Sequence, residues 1–427
     1  VGLRRTLNLL DATAVGVGAI IGAGIFVVLG VAVGYAGPSI VVSIIIAGLV
    51  ASFTAFSFAE LGSAIPKEGG AYSFAFELIS PSVGFVVGCL WLFAQIVAGA
   101  AISLGFASYF VALFPILPIK TVAVMAALAL TGLNVLGIKQ SATFNNILVI
   151  IKVVILALFI GVGVFHMNTQ DFSSFSPNGV FGVLQGAGFI FFAYLGFGRI
   201  AALGEEVKNP ERNLPLSILI ALVVSIVIYA LTGFVAAGLQ NYQVLAQSSS
   251  PIAEAAESTG SFALVAAVSI GALIATVSVL LTNLLGLSRV AYAMARNNQL
   301  PKAIAKTSSR FGTPYVSILA MGALLTVLVY SLDLKDAAAI TSFAILSVHL
   351  AVNLSAMRLR KKVSAPARFR MPLYPLIPVL GFLSCVILMF SLPQTSWVVV
   401  AVVVAIALVI YLSMRKSTKQ KSPPKSQ

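Results

Sequence analysis

Apolar runs of about 20 residues, the length a helix needs to cross a bilayer, recur along almost the whole chain. Short clusters of Gly, Pro, Ser, Asn and charge separate them, and the alternating ten-residue pattern of a membrane barrel is absent. The pattern predicts an all-α integral membrane protein of about twelve spans. The first six run over 11–36, 38–63, 83–113, 120–138, 143–165 and 180–204, the others over 214–238, 261–288, 314–332, 337–357, 373–393 and 396–414.

Two of these runs are interrupted. The first span carries Gly18, Gly22 and Gly24 at its centre, ending in Ile25-Phe26, and the sixth carries Gly196 and Gly198 after Phe191-Phe192-Ala193-Tyr194-Leu195. Glycine is a poor helix residue, so three in seven positions read as a deliberate unwinding. Unwound backbone at bilayer depth survives only where it lines a cavity and a polar ligand completes its hydrogen bonds. The bland alternative is that small residues four apart only let helices approach closely. Interrupted helices in corresponding positions of two halves favour the ligand site of an inverted-repeat transporter.

Composition agrees: 59% of residues are apolar, 9% are charged and mean hydropathy is +1.06. The net charge of +14 sits in loops rather than on one face, so topology accounts for it and nucleic acid is not expected as a partner. With the amino terminus cytoplasmic, one side receives most loop cations and the other only Lys120 and Lys335, which puts both termini inside. Arg4 and Arg5 lead into a first span that is too long, and lacks the small-residue flank, for a removable signal peptide. Residues 415–427 form a basic tail expected to be disordered near anionic lipid. Cys89 and Cys385 lie inside apolar runs, indicating neither a disulfide framework nor a metal motif. The outer segments 166–179 and 239–260 show little periodicity and read as lids over an entrance.

Several stretches, in this order, resemble the amino acid-polyamine-organocation superfamily of secondary transporters. They are Gly22 to Phe26, Phe58-Ala59-Glu60-Leu61 running into Pro66 to Tyr72, Tyr194 to Phe197 leading to Glu205-Glu206 and Asn209-Pro210, Arg289 to Arg296 before Leu300-Pro301, and Phe369 to Pro375. The resemblance implies a 5+5 inverted-repeat fold like that of the leucine and neurotransmitter-sodium symporters. Residues 1–10 would be a cytoplasmic lead, 11–165 and 166–357 the two repeats, and 358–414 two extra helices. It also implies a substrate carboxylate on the amides of Gly22, Ala23 and Gly24, and an ammonium on the carbonyls of Ile20, Phe192 and Leu195. The half-helix dipoles independently suit those charges.

Lys152 lies near the middle of the fifth span, too deep for easy snorkelling. An ionisable group there is a functional candidate, against the alternative of a structural lysine bonded to carbonyls. The resemblance places it where sodium-coupled relatives bind a cation, with Gly18 and Ser278 as neighbours, and makes it a proton-coupling residue. Tyr194 and Arg199 are gating candidates, Tyr194 and Phe192 alternatively simple packing. His349 reads more as a satisfied core histidine than a relay. Gln95, Ser103, Thr282 and Asn283 suit helix-to-helix bonds as well as a ligand. No Asp or Glu occupies the centre of a span, which argues for neutral substrates over cationic ones.

The expected function is proton-coupled symport of neutral amino acids across the plasma membrane, with membrane lipid and the proton as further partners and no cofactor or metal. An amino acid exchanger and a non-transporting sensor are the alternatives. Enzyme signatures such as HExxH or GxSxG are absent.

Overall fold

Each apolar run folds as a helix because a backbone buried away from water must satisfy its own hydrogen bonds. The computed structural model describes residues 7–65, 69–137, 142–168, 172, 174–201, 207–308, 310–362 and 369–420. Among these the secondary structure is helical, with no strand beyond an isolated parallel bridge between Leu7 and Val207.

The first run gives α1 (Leu9–Ile20) and α2 (Ala23–Ala36), followed by α3 (Ile40–Ala64), the short α4 (Ala71–Leu78), α5 (Pro81–Leu113), α6 (Ile119–Val135) and α7 (Ala142–Gly163). The middle of the chain contributes α8 (Gly179–Ile190), a 3-10 segment Phe191–Phe197, α9 (Gly198–Ala201) and α10 (Pro210–Leu239). Two short helices, α11 (Tyr242–Gln247) and α12 (Pro251–Glu257), precede α13 (Phe262–Arg296), α14 (Tyr315–Ser331), α15 (Leu334–Lys362), α16 (Leu376–Ser391) and α17 (Gln394–Gln420).

The starts follow local chemistry. Asn8 and Asp11 form a reciprocal capping box on α1, each side chain accepting from the other's backbone N–H at 2.9 and 3.1 Å. Ser80 and Ser261 cap α5 and α13, and Pro81, Pro210 and Pro251 stand in the first turns, where a missing N–H costs nothing.

Eight helical stretches among the described residues are long and apolar enough to cross a membrane, one of them the 56-residue Leu9–Ala64. Three shorter apolar helices, α6, α14 and α16, accompany them. The helices are turned apolar side out. On α7, Ile147, Ile150, Val154 and Leu158 are exposed while Lys152, Leu156 and Phe159 are buried, the reverse of a helix facing water. The centre is α2, buried on all sides, together with the 191–197 segment, enclosed by α3, α5, α10, α13 and α15.

Two expectations differ in detail. The outer segment 239–260 is not irregular: α11 and α12 fold inward and pack on α2, with Leu245 and Ile252 fully buried. The basic tail is helical as far as Gln420, because α17 continues past the apolar run. Pro66, Lys67, Glu205 and Glu206, part of the family resemblance, lie outside the described residues.

Candidate functional site

The first break is sharp. Helix α1 stops at Ile20, Ile21 takes φ −73° and ψ 81°, Gly22 takes φ −133° and ψ −140°, and α2 restarts at Ala23 without a side-chain cap. The first amides of α2 therefore have no acceptor inside their own helix, and the last carbonyls of α1 have no donor inside theirs. Those α2 amides sit at the positive end of a helix dipole.

The second break tightens rather than unwinds. Residues Phe191–Phe197 wind as a 3-10 helix between α8 and α9, which keeps i to i+3 bonding while turning side chains to new directions. The two breaks cross in direct backbone contact. A Cβ on Gly24 would overlap Ala193, and one on Gly196 would overlap the Ala19 carbonyl.

A small cavity lies at this crossing. Ile20, Gly22, Ala23 and Gly24 line it from the first break, and Phe192 and Leu195 from the second. Gln95, Ala98 and Ile102 of α5 and Val279 and Asn283 of α13 form the facing walls at helical spacing. No acidic or basic side chain is among its lining residues. Asn283 donates from Nδ2 to Gln95 Oε1 at 2.7 Å, joining the two walls.

Beside the cavity, α7 brings Lys152 between α1 and α13. The residue is 2% exposed, and its ammonium donates to Ser278 Oγ at 2.6 Å and to the Gly18 carbonyl at 3.4 Å. Glycine at position 18 permits this approach, since a Cβ there would overlap Val149 of α7. Gly18 and Ser278 are each one residue from a cavity-lining neighbour, Ala19 and Val279.

The amino acid permease family model matches residues 11–422, nearly the whole chain. The chain belongs to the amino acid permease family. It is 32% identical to a methylthioribose transporter of Bacillus subtilis, over 96% of this chain and 93% of that protein. It is also 32% identical to a branched-chain amino acid permease of the same organism, over 98% and 94%. A vacuolar cationic amino acid transporter of Arabidopsis thaliana matches at 32% over 84% of this chain and 64% of its own length. The chain is thus one of a family of multi-pass membrane transporters, and the superfamily resemblance of its motifs holds.

The residues singled out from sequence gather at two adjacent places, the cavity for Ile20, Gly22, Ala23, Gly24, Phe192 and Leu195, and the polar cluster beside it for Gly18, Lys152 and Ser278. Tyr194 stands apart from both. It is fully buried, its hydroxyl donates to the Ile44 carbonyl of α3 at 3.2 Å, and its ring lies 5.3 Å from that of Tyr229. The Arg199 side chain lies outside the described residues.

His349 corrects the reading of a satisfied histidine. Its ring is enclosed by Phe58, Phe191 and Phe197 at centroid distances of 5.7, 5.6 and 5.4 Å, and Nδ1 has no hydrogen-bond partner among the described residues. Sequence reasoning missed Tyr229 of α10, whose hydroxyl donates to the Ile20 carbonyl at 2.6 Å and lies 3.3 Å from that of Ala193, touching both breaks. A single tyrosine in an apolar run carries no signal of this. It missed also the Glu60–Arg360 pair, 2.8 Å apart, in which a carboxylate 1% exposed accepts besides from the Met371 amide. Arg360 stacks over Tyr374, and the cluster ties α3 to the end of α15. Among the described residues no group of three His, Cys, Asp or Glu stands together.

Proposed function

We propose that the chain is a secondary active transporter that carries neutral amino acids with a proton by alternating access. Membership of the permease family supports amino acid transport, and relatives named for branched-chain and for cationic amino acids fit that class. A count of twelve spans is supported when Leu9–Ala64 is taken as two passes and the three shorter apolar helices as one each. The broken first and sixth spans support a reading of two inverted repeats, residues 11–165 and 166–357, and the cation-rich loops support one with both termini in the cytoplasm of a plasma-membrane protein.

In the cavity, the amides of Gly22, Ala23 and Gly24, at and just before the start of α2, receive the carboxylate, and the carbonyls of Ile20, Phe192 and Leu195 receive the ammonium. The Ile20 carbonyl also accepts from the Gly22 N–H at 2.8 Å and from the Tyr229 hydroxyl at 2.6 Å, so the substrate ammonium displaces one of these donors on binding. The uncharged lining favours a neutral side chain, because a buried cation without a counter-charge is costly.

The observation that carries the coupling is the position of Lys152. Its protonated amine bridges Gly18 of α1 and Ser278 of α13, one residue along each helix from the cavity wall. Holding those helices together keeps α1, the inner half of the first span, closed. Release of the proton toward the cytoplasm loosens the bridge and opens the inward path, and substrate and proton move through one two-state element. The test is uptake of labelled alanine into proteoliposomes under an inward proton gradient without sodium. Wild type should accumulate alanine and lose it on adding a protonophore, while Lys152→Ala should no longer respond to the gradient. Accumulation by the variant equal to wild type would overturn the role of Lys152.

A further inference from the structure

Resting on the reading of the cavity as an amino acid site, we infer that the Gln95–Asn283 carboxamide pair reads the substrate side chain and selects one bearing a hydroxyl or carboxamide over an aliphatic one of the same shape. Both residues are nearly buried, at 5% and 2% exposure, and both line the cavity. They are its polar side chains. The rest of the wall opposite the breaks is Ala98, Ile102 and Val279, and the backbone of the breaks is the part that suits the carboxylate and ammonium. A side chain leaving the Cα of a substrate so held therefore meets α5 and α13.

The bond between the two amides uses one Asn283 hydrogen and the Gln95 oxygen. That leaves the Gln95 nitrogen outside it, and Asn283 Oδ1 is buried without a partner among the described residues. Gly99, adjacent to Ala98, gives Oδ1 its space, since a Cβ there would lie 3.3 Å away. Buried carboxamides with unspent hydrogen-bonding capacity are rare, and each unmade bond is costly. If both amides rotate together, the same bond forms in reverse and the unspent groups exchange roles. A hydroxyl or carboxamide, which can donate and accept, satisfies either arrangement. An aliphatic side chain leaves these remaining groups without a partner, the situation in which sites built for hydrogen bonding reject the analogue that lacks the group.

Threonine and valine, alike in shape and different in one hydroxyl, provide the test. Each is used unlabelled to compete with labelled alanine for uptake by the wild-type protein in proteoliposomes. Threonine should compete about tenfold better than valine or more. Gln95→Met and Asn283→Leu, close in volume, should shift the ratio toward valine, with folding checked by size-exclusion chromatography. Where a variant does not fold, the wild-type ratio decides alone. Equal competition, or preference for valine, while alanine is transported would overturn the selectivity and leave the amino acid site standing. Absence of alanine uptake, with no thermal stabilisation of the purified protein by alanine, serine, threonine or valine, would overturn both.

Discussion

The two breaks solve the same problem differently. At Ile21–Gly22 the chain leaves helical geometry and re-enters it, which releases amides at the start of α2 and carbonyls at the end of α1. At Phe191–Phe197 the helix tightens to 3-10, keeps local bonds and redirects side chains, so that Phe192 and Leu195 face the cavity while Tyr194 turns to α3. The first break offers polar backbone and the second mainly a shaped wall. What makes them one site is that glycines on each admit the backbone of the other, Gly24 against Ala193 and Gly196 against Ala19.

The contrast can be broken most severely at that crossing. In Gly196→Ala the new Cβ meets the backbone of Ala19, which cannot rotate away, so a loss of ~3 kcal/mol or more, at the upper end for overpacking, is expected from thermal unfolding in detergent. Wild-type stability there would show that the breaks do not touch. Gly22→Ala is expected to cost about 1–3 kcal/mol, because its Cβ meets a side chain, Val279 Cγ2, rather than backbone. Val279→Ala in the same chain should recover most of that, and a strictly additive double variant would refute the contact.

Tyr229→Phe tests the latch between the breaks. The Ile20 carbonyl keeps the Gly22 N–H at 2.8 Å, so losing one of its two hydrogen bonds should lower stability by about 0.5–1.5 kcal/mol. The smallest effect belongs to Gly198→Ala, just past the second break. Its Cβ would sit 3.6 Å from Phe58, an ordinary contact, so a change within about 0.5 kcal/mol is expected. A large loss would mean that Phe58 cannot yield at this contact.

The pattern of apolar runs was enough to locate the helices because lipid leaves the backbone no alternative, and three glycines in one span were enough to locate the first break. Lys152 was equally legible as a buried ionisable group, since a charge amid aliphatic residues stands out from its surroundings. The ends of the elements were less so. Lack of periodicity hid α11 and α12, whose apolar residues are packed on α2 rather than patterned for themselves.

The sequence by itself determined an all-helical membrane chain, two interrupted spans and a buried lysine, each a local conflict between residue type and surroundings. Tertiary structure alone decided that Tyr229 would reach both breaks, that Gln95 and Asn283 would pair across the cavity, and that Glu60 would find Arg360 some three hundred residues away. Tyrosines, amides and end-of-helix charges are common, and their meaning depends on which partner the fold delivers. Burial of a polar group is a property of the assembled bundle, so its satisfaction is written in packing rather than in spacing.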